Sequence, residues 1–335
     1  MTNYSESLSK IINASNVILE ELSFDKRPET LYAPLNYIFS KKGKQIRGVF
    51  VLLSHKMFGG KDVNDLKDIV LAIEALHNFT LIHDDVMDNA HLRRGRKTIN
   101  KNWTSNQAIL SGDLLLIQSY KYLLNSKFST LAMCHEFSNI ATQICEGQQL
   151  DLDFQFQKEI KIEDYFSMIE LKTAALIQLS LSIPLYSSYL YPNSTNTDST
   201  LNIYRDIMKK IGLTLGKLFQ IQDDYLDLYG KESIVGKVVG GDIIEKKKTF
   251  LYVEACRLST PQQKKYLIST YDSEDRNRIN LIKELYQVLD IQNVAIKKIN
   301  QLYKEVFNLI SQLKIEDQKK ENMIEFLEYI LNRNS

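Results

Sequence analysis

Helix breakers are scarce in this chain: 5 prolines and 13 glycines are spread over 335 residues. With Leu, Ile, Lys, Glu and Gln abundant, that scarcity leans towards helix. Cysteine is nearly absent too. Cys134, Cys145 and Cys256 are odd in number and have no metal-type spacing, which points to reduced thiols inside a cytosolic protein. Charge of one sign is not in excess. Lys plus Arg number 42 against 41 Asp plus Glu, a net charge of +1, and this argues against nucleic acid as the main partner. No apolar stretch reaches the length of a membrane span without charges, so no integral membrane association is expected. Residues 1–16 lack the basic start and apolar run of a signal peptide, and the expected localisation is cytoplasmic. Strand-type alternation never persists between turn residues.

What is present is helical periodicity. From Asp62 to His83, Val63, Leu66, Ile69, Val70, Ile73, Leu76 and Thr80 mark one helix face that continues into Asp84, Asp85 and Asp88. A second pattern runs through Ile207, Ile211, Leu215, Leu218 and Ile221 into Asp223, Asp224 and Asp227. Breaks are expected at Lys56–Asp62, at the polar stretch Pro192–Thr200, where an exposed or disordered loop is expected, and at the glycine- and lysine-rich Gly230–Asp242. None resembles a linker, so residues 1–335 are read as one domain.

Both helical patterns end in D-D-x-x-D: Asp84-Asp85-Val86-Met87-Asp88 and Asp223-Asp224-Tyr225-Leu226-Asp227. On a helix the first and last aspartates are one turn apart on one face. They repel unless solvated or bridged by a cation, and a hard cation such as magnesium suits oxygen ligands and joins carboxylates to phosphate oxygens. One such cluster would read as an acidic surface turn. Two, each in register with polar residues, do not: Gly216, Gln220, Asp223 and Asp227 step by four, three and four, and His77 lies two turns before Asp84. Basic residues supply the complement, with Lys44 and Arg47 in KKGKQIRG, Arg93-Arg94-Gly95 after the first cluster, Lys172-Thr173 inside an apolar stretch, Lys237 between glycines, and Lys246, Lys247 and Lys248 after Asp242. Arginine suits bidentate phosphate contact and lysine acts as a point charge. Together the two sets point to diphosphate held between metal and cations.

The blocks GKQIR, LIHDDVMD with LRRG, EGQQLD, LKTAAL, LGKLFQIQDDYLD and GKVVGGDIIEKKKT occur in the order found in the trans-prenyl diphosphate synthases, and the chain resembles that family over nearly its whole length. The resemblance implies an all-α bundle of the isoprenoid synthase type with a deep central cavity, and a homodimer. It implies magnesium, three ions per site, held by Asp84, Asp85 and Asp88 and by the second cluster. There Asp223 and Asp227 would be direct ligands, with Asp224 behind them. Arg93, Lys172 and Lys237 would contact the allylic diphosphate, and Lys44, Arg47, His77 and Arg94 isopentenyl diphosphate. Thr173 and Gln220 would face the developing cation, Lys247 would support the site, and Asp242 would belong to a segment closing over it. The chain departs from the common bacterial pattern at Lys42, Gln45, Gly48, Lys97 and Lys246.

Product length is read from Phe79, five residues before Asp84 and so roughly 7–8 Å back along the axis, and from the small Thr80 beside it. A single aromatic there resembles geranylgeranyl diphosphate synthases, whereas paired aromatics typify farnesyl diphosphate synthases. The expected product has twenty carbons, with fifteen as the alternative. Leu114, Ile117 and Tyr120 are candidates for the opposite wall of the tunnel. Two other readings of the fold compete. A terpene cyclase would leave Lys44, Arg47 and Arg94 without a duty, and a silent regulatory subunit would have lost a metal ligand.

Overall fold

The apolar periodicity of the sequence is realised as helices in the computed structural model, which describes residues 4–41, 43, 45–191, 198–230, 239–275 and 277–332. In chain order these are α1 (Glu6–Glu20), α2 (Glu29–Ser40), α3 (Ile46–Met57), α4 (Lys67–Met87), α5 (Ile99–Asn102), α6 (Ser105–Asn125), α7 (Leu131–Gln155), α8 (Ile162–Ile169), α9 (Ala175–Ser182), α10 (Asp198–Tyr229), α11 (Gly241–Ile244), α12 (Phe250–Leu258), α13 (Pro261–Asp272), α14 (Arg278–Val288), α15 (Ile291–Ser311) and α16 (Asp317–Asn332). The expected all-α class holds. Helix starts coincide with side-chain caps: Ser5 accepts from the Leu8 N–H, Thr104 from Gln107 and Thr249 from Tyr252. Thr260 and Gln263 form a capping box ahead of α13, with Pro261 in its first turn.

Three local details differ from the sequence reading. The first helical pattern does not start at Asp62. That side chain accepts from Asn64 N–H and opens a 3₁₀ turn over Val63–Leu66, and α4 follows. Asp198–Thr200, read as loop, already belong to α10, while residues 192–197 lie outside those described. Two short strands, β1 (Leu92–Arg93) and β2 (Arg96–Lys97), pair antiparallel with Arg93 opposite Arg96. Arg94 and Gly95 between them have φ of 53° and 69°, the left-handed pair that a tight two-residue hairpin requires.

The helices gather into two compact units. One comprises Met1–Thr142, Leu176–Gly212 and Phe307–Ser335, the other Gln143–Ala175 and Leu213–Val306. In the first, Ile69, Ile73 and Leu76 of α4 are fully buried and α4 packs along α6 and against α3. Phe50 of α3 meets Phe326 of α16 edge-on at 5.5 Å. In the second, Leu215, Leu218 and Ile221 of α10 are fully buried. Tyr252 and Tyr271 pack at 4.3 Å, with the Lys248 ammonium 4.6 Å and 5.1 Å from their rings. By length and composition Ile162–Tyr186 could cross a membrane, but 72% of its most apolar window is buried within the protein.

Candidate active site

In the first unit, α4 carries its aspartates at its last turn. Adjacent helical residues point about 100° apart, so Asp85 turns inward, 4% exposed, while Asp84 stays half-buried. The hairpin folds Arg93 back over both: Nε donates to Asp85 Oδ1 at 2.7 Å and Nη2 to Asp84 Oδ2 at 3.2 Å. Burial pushes the Asp85 carboxyl up to about 6, against the pull of Arg93, and Asp84 and Asp88 add to the rise. The glycine of the RRG motif therefore has a mechanical task, since it permits the turn that brings Arg93 onto the cluster.

Beside this pair lies a second basic group. Arg47 Nη1 and His77 Nε2 are 3.0 Å apart. A guanidinium has no acceptor, so His77 must accept at Nε2 and carry its proton on Nδ1. Burial and the charges of Arg47, Arg94 and Arg93 hold the imidazole well below its usual pKa, and it is neutral. Glu74, 3% exposed, accepts from the Gly48 N–H at 2.8 Å. A proline at position 48 could not supply that donor. The Arg94 guanidinium lies on Gly43, where a Cβ would come within 2.6 Å of it. Tyr37, Lys41, Arg93, Arg94, Arg96 and Lys97 line one recess. Lys44 lies outside the described residues.

In the second unit, the LKTAAL block forms a π-helical turn, Glu170–Ala174, between α8 and α9. Such bulges re-aim side chains and recur at functional sites. Two glycines let neighbouring helices approach it. A Cβ at Gly147 of α7 would stand 2.3 Å from the Lys172 nitrogen, and one at Gly216 of α10 would stand 2.2 Å from the Ala174 Cβ. Lys172 Nζ lies 2.5 Å from Asp151 Oδ2. Thr173 Oγ1 donates to Gln220 Oε1 at 2.9 Å. The aspartates of α10 then diverge. Asp223 is exposed. Asp224, 3% exposed, receives Gln220 Nε2 on Oδ1 at 2.9 Å, and the Tyr165 hydroxyl and Phe250 N–H on Oδ2 at 2.7 Å each. Burial pushes it up to about 6 despite these donors. Asp227 Oδ2 accepts from the Asp242 N–H at 3.1 Å, in the first turn of α11. Lys247 pairs with Glu245 at 2.9 Å. Lys237 lies outside the described residues.

Among the described residues, no three His, Cys, Asp or Glu side chains are gathered into a preformed cage. Magnesium does not need one, because it keeps waters and uses one or two carboxylates beside phosphate. Aspartates one helical turn apart fit that requirement. Motif spacing does not point to Asp151, Tyr165, Glu74 or the Phe250 N–H as parts of the site. Asp151 had a signal, four residues after Gly147 on the same face of α7. The Phe250 N–H had none.

The polyprenyl synthetase family model matches residues 28–289. The chain belongs to this family. It is similar to a short chain isoprenyl diphosphate synthase of Methanothermobacter thermautotrophicus, 32% identical over 289 residues, 86% of each chain. It is also similar to a geranylfarnesyl diphosphate synthase of Natronomonas pharaonis, 32% identical over 76% of this chain and 78% of that one. Among solved structures, the geranylgeranyl pyrophosphate synthetase of Pyrococcus horikoshii aligns with a TM-score of 0.85 at 27% identity, covering 98% of both chains. The polyprenyl synthetase assignment makes the chain a prenyltransferase of the short-chain type.

Proposed function

We propose that the chain condenses isopentenyl diphosphate with an allylic diphosphate in a magnesium-dependent reaction, and that geranylgeranyl diphosphate is its main product. The observation that carries this is a pair of ion pairs beside the proposed metal ligands, Arg93 on Asp84 and Asp85 and Lys172 on Asp151. A diphosphate can recruit both cations while metal takes over Asp84 and Asp85. Magnesium on Asp84, Asp85 and Asp88, and on Asp223 and Asp227, would neutralise charge on the departing diphosphate. Arg93 and Lys172 donate to that leaving group as its charge grows. Arg47, with neutral His77 accepting from it, and Arg94 hold the second diphosphate. Thr173 and Gln220 face the carbocation, and buried Asp224 supports them. Water is kept from the cation by the apolar residues of the bundle. We read residues 1–335 as one synthase domain, a reading supported by a family match that includes segments of each unit.

Product length rests on α4. Phe79 is 9% exposed and meets His83 edge-on at 4.7 Å, while Thr80 turns its hydroxyl back to His77 O at 2.7 Å and adds no bulk. Of the three candidates for the opposite wall, Ile117 is 54% exposed and drops out. Tyr120 is held against Phe137 at 5.1 Å. Ile117 serves a different role here. Leu110, Ile117 and Leu124 recur every seven residues on α6 and are all more than half exposed, a stripe that we assign to a homodimer contact. The deciding experiment incubates the protein with magnesium, labelled isopentenyl diphosphate and each allylic starter, and identifies the products by chromatography. A twenty-carbon diphosphate supports the reading, a fifteen-carbon one redirects it to farnesyl diphosphate, and a cyclic hydrocarbon refutes it.

A further inference from the structure

We propose that Asp224 is a positioning residue that sets the direction of a hydrogen-bond chain, so that Thr173 offers lone pairs rather than its proton to the carbocation. This rests on the proposed condensation. The direction follows from donor counting. The Phe250 backbone N–H can only donate, and it enters Oδ2 of Asp224 together with the Tyr165 hydroxyl. The remaining oxygen, Oδ1, faces the Gln220 amide at 2.9 Å. A carboxylate accepts and does not donate, so Gln220 must turn its NH₂ towards Asp224. Its carbonyl oxygen is thereby left facing Thr173, 2.9 Å away. That oxygen takes the one hydroxyl proton, and both lone pairs of Thr173 Oγ1 remain for whatever approaches the half-buried hydroxyl. An oxygen lone pair stabilises an adjacent cation, whereas a hydroxyl proton opposes it.

The local fold serves the same geometry. Gln220 and Asp224 are one turn apart on α10. Gly216, one turn earlier, allows the close approach of Ala174 that brings Thr173 within reach of Gln220. Asp224 is clamped from α8 through Tyr165 and from α12 through Phe250, so the carboxylate cannot rotate away and the chain has one polarity. A purely structural clamp would work with either polarity, and this difference makes the inference testable.

The test compares steady-state kinetics of Asp224→Asn, Thr173→Val and their combinations in the full-length protein with magnesium, isopentenyl diphosphate and an allylic diphosphate. In Asp224→Asn the amide oxygen still receives Tyr165 and Phe250. Its NH₂ now faces Gln220, whose amide turns over and donates to Thr173. The hydroxyl proton is released outward. We expect kcat to fall on the order of 10- to 100-fold with little change in either KM. Changing Gln220→Glu in the Asp224→Asn background restores an acceptor towards Thr173 and should recover most of the lost kcat, to within about fivefold of the parent. In a Thr173→Val background Asp224→Asn should cost little more, because the oxygen it controls is gone. Tyr165→Phe removes one of two clamps but not the Phe250 donor that sets the polarity, and should lower kcat by less than Asp224→Asn does. Additive losses for Asp224→Asn and Thr173→Val, or no rescue by Gln220→Glu, overturn the inference. If Asp224→Asn does not fold, the double variant is compared with the parent directly, and a loss above about 100-fold overturns it. A parent protein that makes no prenyl diphosphate refutes the proposed function itself, and a parent that does, with additive variants, refutes only this inference.

Discussion

The two aspartate clusters share one spacing and end comparable helices, yet the structure treats their middle residues differently. Asp85 is balanced by a formal charge, the Arg93 guanidinium that a hairpin turn carries back to it. Asp224 is balanced by three neutral donors from three elements. Both are almost fully buried and both are pushed up to about 6. In both clusters the second aspartate turns inward; in the second cluster Asp227 is buried as well, at 8% exposure. The neighbours decide what the inward carboxylate does. A charge-paired one can be released when an anion draws the arginine away. One held by neutral donors stays put.

The largest expected effect tests what the clusters share. Asp84→Ala and Asp223→Ala should each reduce turnover by orders of magnitude, and a chelator should abolish it. Each loss reflects several kcal/mol of stabilisation withdrawn from the leaving group. Full activity of either variant, measured with saturating substrates, would refute the role of that cluster. Next comes the separation of the two diphosphates. Arg47→Ala and His77→Ala should raise KM for isopentenyl diphosphate by about 10- to 100-fold, a cost consistent with a charge-assisted hydrogen bond. Lys172→Ala should instead lower kcat with the allylic partner. Varying each substrate in turn checks this, and a common pattern in all three variants would count against separate sites.

A third, smaller effect concerns pH. A carboxyl at about 6 in the fold and near 3.8 when unfolded binds more protons folded than unfolded between those values. Asp85 therefore adds stability that is fully present below its unfolded pKa and is lost as pH rises through about 6. The term is on the order of 2–3 kcal/mol. Chelator-treated parent protein should lose stability between pH 4 and pH 7 relative to Asp85→Asn, in denaturant melts at each pH. Parallel curves for the two proteins would contradict the burial argument. The smallest effect is on product distribution. Phe79→Ala should lengthen the prenyl product. Leu218 stands five residues before Asp223 and is fully buried. Leu218→Ala should leave product length alone and instead destabilise by about 2–5 kcal/mol. Chromatography of dephosphorylated products separates the two outcomes, and unchanged length in Phe79→Ala would move the product floor elsewhere.

Much of this was legible in the sequence because helical periodicity is a local property. Apolar spacing located α4 and the second half of α10, and D-D-x-x-D spacing gave the shared face within one turn. Gly216 stood out in register with Gln220 and Asp223, but only the packing shows that it and Gly147 let helices approach the Lys172–Thr173 turn. Other features depended on atoms distant in sequence. Nothing near Asp224 predicts a backbone N–H 26 residues away or a tyrosine 59 residues away, since a main-chain donor leaves no compositional trace. The tautomer of His77 likewise depends on Arg47, 30 residues upstream.

The sequence by itself determined the helical class, the two acidic turns and the basic residues that complement them, because each is set by side-chain identity at short spacing. Tertiary structure alone decided which aspartate is buried against charge and which against neutral donors. It also decided that the Lys172 ammonium rests on Asp151 and that one amide, Gln220, has a single permitted orientation. Those outcomes depend on desolvation and on counting donors against acceptors. Both are properties of a packed neighbourhood that no single stretch of chain contains.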